Sequence, residues 1–301
     1  MMDVALSIGN FDGVHRGHVA IVQGARATVG HGKVVIWSFN PSPAVFLHPD
    51  IEVERLTSFT HRRALLLEAG ADEVVELKPS EALLSQSPEA FVESFVNSLT
   101  PQFVVEGDGF RFGKNRVGTL EDLQKLGTTF GFSTKIIPPL EVTLQDQSVH
   151  RASSSMVRNL IQEGRVEDAQ IVLGRSVSVS GIVTSGDQRG RTLDFPTANI
   201  EKINTLLPAD GIYAGRGILQ DGTFFPAAIS IGTKPTFGEH ARTCEAHLIG
   251  FHGDSDLYGW ELELTFDHRL RDQIRFDTVE ELKNAIQTDV EQTCRLLERN
   301  T

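Results

Sequence analysis

The chain has 301 residues, 40% hydrophobic and 23% charged, a composition that fits a soluble globular protein with room for two ordinary domains. A formal net charge of −12 argues against a nucleic-acid-binding surface, so an anionic ligand must be met by locally gathered Arg, His, backbone N–H groups or a divalent cation. Two cysteines make no disulfide framework, no Cys/His cluster has zinc spacing, and no run approaches the ~20 apolar residues of a membrane helix. Met1-Met2-Asp3-Val4 lacks the basic and apolar stretches of a signal peptide, so the expected location is the cytoplasm, with no membrane or nucleic-acid partner.

In chain order, Val4–Ile8 reads as a strand, and Gly9-Asn10-Phe11-Asp12-Gly13-Val14-His15-Arg16-Gly17-His18 as a glycine-bearing turn into a helix over Val19–Thr28. Unpaired N–H groups and the positive dipole end at such a helix start attract phosphate. His15 and His18, three apart, can share the first helical turn and donate to phosphate oxygens as charge builds on a leaving group. The plain alternative is a turn that happens to carry two histidines. Further strands are expected at Val34–Phe39, Val74–Leu77, Phe103–Val105 and Thr134–Ile137. Between them Thr60 is expected to cap His61–Ala69, Ser87-Pro88 to open Glu89–Leu99, and Thr119 to precede Leu120–Phe130. This alternation predicts a parallel sheet with helices on both faces and ligands at the carboxyl ends of the strands.

Gly107-Asp108-Gly109-Phe110-Arg111-Phe112-Gly113 follows one of those strands. Its glycines permit close approach to a ligand and its two Phe can flank a flat ring, or the loop can simply cover a hydrophobic plug. It lacks the dinucleotide Gly-x-Gly-x-x-Gly spacing, and the chain has no P-loop, since Ala27 replaces the first Gly and Val34 follows Lys33. In Arg151-Ala152-Ser153-Ser154-Ser155 with Arg158, the serines can cap a helix, or serines and arginines together can grip a triphosphate.

Two short helices, Ser154–Glu163 and Val166–Leu173, precede a change of class near residues 160–175. Ser176–Val183, Gly211–Leu219, Phe224–Ile231, Glu245–Ile249 and Trp260–Phe266 look like strands of a small antiparallel barrel. A last helix runs from Thr278 to about Glu298, with Glu281 completing a capping box. Within Gly190-Arg191-Thr192-Leu193-Asp194-Phe195-Pro196-Thr197-Ala198-Asn199, a Thr hydroxyl and an Asn carbonyl two apart can offer neutral oxygens to Mg²⁺, or the stretch can be an ordinary turn into a strand. Strand alternation puts Glu245 and His247 on one face, where a carboxylate can take a proton from a hydroxyl or simply face water.

The His-x-Gly-His turn after Gly-x-Phe-Asp-Gly, the Phe-x-Phe-Gly loop and Ser-Ser-Ser-x-x-Arg resemble the adenylyltransferase module of bacterial bifunctional FAD synthetases. Pro-Thr-Ala-Asn, Glu245, Asp256-Leu257-Tyr258-Gly259 and Arg269-Leu270-Arg271 resemble their riboflavin kinase module. The resemblance covers about residues 4 to 297. It implies an α/β plus β protein: a Rossmann-like nucleotidyltransferase domain (1–160), a helical linker (161–174), and a six-stranded antiparallel barrel with a C-terminal helix (175–301). The implied activities are phosphorylation of riboflavin to FMN, then adenylyl transfer from ATP to FMN giving FAD. His15, His18 and Glu245 would be catalytic. Gly9, Phe11, Arg151, Ser154, Ser155, Arg158, Gly190, Thr197 and Asn199 would bind ATP. Asp108, Phe110 and Phe112 would bind flavin, and Thr197 and Asn199 would hold Mg²⁺. The implied partners are riboflavin, FMN and ATP, and the implied assembly is a monomer or weak oligomer.

Three positions depart from the family pattern. Gly109 stands where Asn or Asp precedes Phe-x-Phe-Gly, Asp194 replaces Gly before Phe-Pro-Thr-Ala-Asn, and Lys234 replaces Arg before Pro-Thr. Lys234 keeps the charge but loses the planar fork. Gly109 prompts one other reading, a riboflavin kinase with an impaired first module, and a rival of a different class is a non-catalytic flavin-binding regulator.

Overall fold

The computed structural model describes residues 3–48, 50, 53–185, 195–233, 242–252 and 258–298. The chain divides into two compact units, Met1–Ser154 and Ser155–Thr301.

The first unit holds a five-stranded sheet in the order β3-β2-β1-β4-β5, with β1 at Val4–Gly9, β2 at Lys33–Phe39, β3 at Glu73–Leu77, β4 at Phe103–Gly107 and β5 at Ser133–Ile137. Every pairing is parallel. The long helices cover both faces, as a sheet apolar on both sides requires. Val22 and Ala25 of α1 (Arg16–Val29) and Leu66 of α3 (Phe59–Glu68) share one core cluster with Ala5, Val34 and Ile36. Phe91 and Phe95 of α5 (Pro88–Leu99) and Leu123 of α6 (Leu120–Phe130) share the other with Leu6, Ile8 and Val35. The strand order reverses at β1/β4, so the ligand crevice of an open α/β sheet falls there.

Local start signals account for most helix boundaries. Ser87 accepts from Ala90 N with Pro88 in the first turn, and Thr119 forms a reciprocal capping box with Asp122. Thr60 is not a cap. The α3 N-cap is Ser58, whose side chain accepts from His61 N, and Thr60 lies inside the helix. Short elements also join the expected set: α2 (Pro43–Leu47), α4 (Glu81–Leu84) and a hairpin of β6 (Glu141–Thr143) with β7 (Val149–Arg151).

The second unit starts one residue into α7 (Ser154–Gln162), which Gly164 at φ 73° separates from α8 (Val166–Leu173). The strands that follow are β8 (Val177–Thr184), β9 (Ala198–Glu201), β10 (Gly211–Ile218), β11 (Phe224–Thr233), β12 (Arg242–Leu248), β13 (Glu261–Phe266) and β14 (His268–Arg271). Their order is β11-β12-β9-β8-β13-β10, and β10 pairs back onto β11, so six antiparallel strands close a barrel. β14 is added on the flank of β10. Inward residues alternate along each strand, and Tyr213 and Phe266 meet edge to face at 5.5 Å in the core. Glycine is required where β10 passes β13: a Cβ on Gly215 would lie 1.8 Å from the Thr265 carbonyl oxygen. The closing helix α9 (Val279–Glu298) packs on β10 and β11, starts with the expected Thr278/Glu281 box, and is tied to β14 by a two-bond Arg271–Asp289 pair. β9 and β14 lie outside the strands read from the sequence, being only four residues each.

Candidate active sites

The turn between β1 and α1 is held in an improbable backbone path. Phe11 (φ 50°) and Val14 (φ 39°) both sit in the left-handed region, at a typical cost of about 1–3 kcal/mol each. Gly13 (φ 81°) has no alternative, because a Cβ there would lie 2.7 Å from Leu56 Cδ1. A buried network holds this geometry. The Asp12 carboxylate accepts from Leu56 N, Thr57 N and Thr57 Oγ1 at 3.1–3.2 Å and meets Arg62 at 3.3 Å. Arg62, 4% exposed, also donates to the carbonyls of Asn10 and Phe39 at 2.9 Å. Ser154 Oγ, at the end of the first unit, donates to Asp12 O at 2.7 Å.

His15 is the N-cap of α1, and its Nδ1 accepts from Gly17 N at 3.1 Å. An acceptor Nδ1 puts the proton of the neutral ring on Nε2. The His18 ring stacks on His15 with centroids 3.7 Å apart, and Phe11 meets its edge at 5.2 Å. Both histidines line a pocket of about 440 Å³ at the carboxyl ends of β1 and β4, together with Gly9, Phe11, Asp108, Phe110, Arg151 and Ser154. Arg151, on β7, makes a two-bond ion pair with Asp108. Ser155 and Arg158 continue α7, with Arg158 one turn beyond Ser154.

The two phenylalanines of the glycine loop serve different ends. Phe110 lines the pocket, whereas Phe112 is 4% exposed and packs in the core against Phe91, with the two loop rings stacked at 5.5 Å. A Cβ on Gly109 would lie 3.4 Å from the Arg151 guanidinium, so the position is open to a side chain that would touch that arginine. Sequence reasoning missed Arg116, held at φ 57° in a tight turn (Lys114–Arg116), and the Ile137–Leu140 wall. Pro138-Pro139 after β5 was the available signal for that wall. Glu106 was missed as well. It is 2% exposed, and burial pushes its carboxyl well above the usual carboxylate range.

On the barrel, register assembles the second site. Asn199 of β9 is the cross-strand partner of Glu245 on β12, and Glu245 in turn faces Ser230 on β11. Thr184 of β8 partners Asn199 from the other side, and its buried Oγ1 has no hydrogen-bond partner among the described residues. These residues alternate with buried Val183, Ile200, Cys244 and Ile231, so they share the outward face. His247 lies on that face too, donates from Nδ1 to Pro196 O at 2.8 Å, and meets Phe195 edge to face. Thr197 is exposed one residue before β9. The expected Gly190 and the departures Asp194 and Lys234 lie outside the described residues, as does the Asp256-Leu257 pair. No cluster of three His, Cys, Asp or Glu side chains able to hold a metal occurs among the described residues. The neutral oxygens of Thr197 and Asn199 beside a carboxylate still suit a hard cation that brings phosphate oxygens as its other ligands.

A parallel sheet that gathers histidines and arginines at its switch point, joined to a barrel with a carboxylate facing hydroxyl and amide groups, defines a two-domain ATP-using transferase. Matches to known proteins fall in the same two places. The family described as FAD synthetase matches residues 2–153, and that described as riboflavin kinase matches residues 173–297. The bifunctional riboflavin kinase/FMN adenylyltransferase of Escherichia coli K12 is 33% identical over 288 residues, covering 94% of this chain and 90% of its own. The Pseudomonas fluorescens protein of that name is 35% identical over 289 residues, with the same coverage. This chain belongs to the bifunctional riboflavin kinase/FMN adenylyltransferase family.

A Streptococcus pneumoniae crystal structure described as a macrolide-efflux protein has the same fold, with a TM-score of 0.86 at 29% identity over 97% of this chain and 93% of that one. The described role is that protein's own. Among the described residues here, no helix is long and apolar enough to cross a membrane.

Proposed function

We propose that this chain phosphorylates riboflavin to FMN in its C-terminal domain and adenylylates FMN to FAD in its N-terminal domain. The division assigns residues 1–160 to adenylyl transfer and 175–301 to the kinase, with 161–174 as a helical linker. The observation that carries the reading is the Glu245/Asn199 register pair, a carboxylate set against neutral oxygens in a unit separate from the histidine turn.

In the kinase reaction Glu245 takes the proton of the ribityl 5′-hydroxyl as that oxygen attacks the γ-phosphorus of ATP and ADP leaves. Thr197 and Asn199 would hold Mg²⁺. A bound Mg²⁺ would neutralise charge on the transferring group. In the adenylyl transfer an FMN phosphate oxygen attacks the α-phosphorus of a second ATP, and pyrophosphate leaves. His15 and His18 donate to the phosphate oxygens as charge accumulates. Arg151, Ser154, Ser155 and Arg158 grip the phosphate chain, with Gly9 and Phe11 at its side. Asp108 and Phe110 contact the flavin. Phe112 supports Phe110 from the core. The substrates are small molecules taken from the cytoplasm.

A chromatographic time course with riboflavin, ATP and Mg²⁺, beside a reaction started from FMN, tests this. FMN followed by FAD is the expected result. A second reading is favoured by Gly109, which itself places no side chain against Arg151. On that reading FMN accumulates alone, the FMN reaction makes nothing, and the first domain binds without transferring. Tight flavin binding with no ATP consumed in either reaction would remove both.

A further inference from the structure

β1 and β4 pair as Ala5↔Phe103 and Leu6↔Val104, and there their ladder ends. β1 stays paired with β2 through Gly9↔Ser38, and β4 with β5 through Gly107↔Ile137. The sheet therefore splits between β1 and β4 alone, under the pocket. Glu106 fills the split. Its Oε1 accepts from Ile8 N at 2.7 Å, supplying the bond the missing ladder would have given, and its Oε2 accepts from Ser7 Oγ at 3.4 Å. The same residue lines the pocket beside Gly107 and Asp108.

The use of a carboxyl here is chemically selective. A leucine would fill the volume but leave Ile8 N without an acceptor, and a serine would not reach. The charged groups around the pocket are His15 and His18 from the turn and α1, Asp108 and Arg116 after β4, and Arg151 on β7. Lys135 stands on β5 opposite Val105. Asp108 is already engaged by Arg151. An ionised Glu106 would work against the cations that meet the phosphates, so it belongs at the uncharged end of a bound substrate.

Resting on the adenylyltransferase reading above, we infer that Glu106 is a specificity residue of the N-terminal pocket, bridging the β1/β4 split with one oxygen and hydrogen-bonding a ring acceptor of the bound substrate with the other. That ring is the base of ATP or the isoalloxazine of FMN, two heteroaromatics with the same acceptor chemistry. Burial strengthens the case, because it favours the protonated carboxyl, which has an O–H to give. The sign follows. Below the raised pKa Glu106 donates. As pH climbs through it the group ionises, the donor is lost and a negative charge enters the pocket.

The test is steady-state conversion of FMN to FAD by the full chain, with ATP and FMN varied separately across neutral to alkaline pH, for wild type, Glu106→Gln and Glu106→Leu. Glu106→Leu is expected to raise one KM about tenfold at neutral pH with little change in kcat, and the substrate affected names the ring. Glu106→Gln restores a donor and an acceptor and recovers most of that KM. Wild-type KM rises about tenfold per pH unit above the Glu106 pKa, and Glu106→Gln lacks this limb. A shared alkaline limb, or both KM values unmoved in Glu106→Leu, overturns the inference. Should Glu106→Leu fail to fold, the alkaline limb of Glu106→Gln decides alone. Calorimetric titration of ATP and FMN separates the two failures. If wild type makes no FAD but Glu106→Gln alters the pH dependence of binding, the functional reading falls and Glu106 stands. If neither turnover nor binding responds, Glu106 falls.

Discussion

The two candidate sites are built by opposite structural routes. The N-terminal pocket exists because a parallel ladder opens, and its histidines ride on a strained turn held by a buried Asp12–Arg62 network reaching across some fifty residues of sequence. The barrel site needs no strain in its central pair. Asn199 and Glu245 meet because antiparallel register makes them neighbours on one face of a closed sheet. A site held by a remote network is exposed to loss at a distance, whereas one held by register is lost mainly through its own residues.

The sharpest way to break that contrast is a crossed pair of substitutions. Glu245→Gln is expected to slow FMN formation by about 10²–10⁴-fold while FMN-to-FAD conversion continues. His18→Ala is expected to do the reverse, by about 10²–10³-fold. Separate timing of the two reactions checks both, and loss of both activities in either folded variant would end the two-site assignment.

Next comes the support of the histidine turn. Asp12→Ala removes the carboxylate from a buried guanidinium and from the N–H groups of Leu56 and Thr57, so a loss of about 3–5 kcal/mol is expected in the N-terminal unit. FAD formation should fail with it while FMN formation persists. Arg151→Ala breaks an exposed pair, 54% and 36% accessible, and should change stability by no more than about 1 kcal/mol while weakening ATP binding. Denaturant melts alongside the two activity assays separate these outcomes.

The smallest effect concerns the barrel interior. Burial pushes the Cys244 thiol up to about 12, so it stays protonated at ordinary pH, and it points inward from β12. Cys294 on α9 is partly accessible. Mass-resolved alkylation of the folded protein is expected to label Cys294 first, and prior labelling of Cys244 would mean that the barrel opens.

Elements written in short-range chemistry were legible in advance. Ser87-Pro88, Thr119 with Asp122, and Thr278 with Glu281 start helices through contacts within a few residues, and the five apolar runs of the first half all became strands. The α3 start was misplaced because Ser58 and Thr60 are both competent caps two residues apart. The choice went to Ser58, which follows the Leu56-Thr57 stretch that Asp12 holds from far away in sequence. Phe110 and Phe112 looked equivalent in the sequence, and only packing against Phe91 sent one to the core.

The sequence by itself determined the family and the two fold classes, because motif spacing and hydrophobic period are local properties of the chain. The tertiary structure alone decided where the β1/β4 ladder opens, that a strand glutamate becomes the floor of a pocket, and that Thr184 and Ser230 join Asn199 and Glu245 on one face. Those outcomes depend on pairings between segments up to a hundred residues apart, and no local pattern in the sequence encodes which backbone groups such pairings leave for a side chain to satisfy.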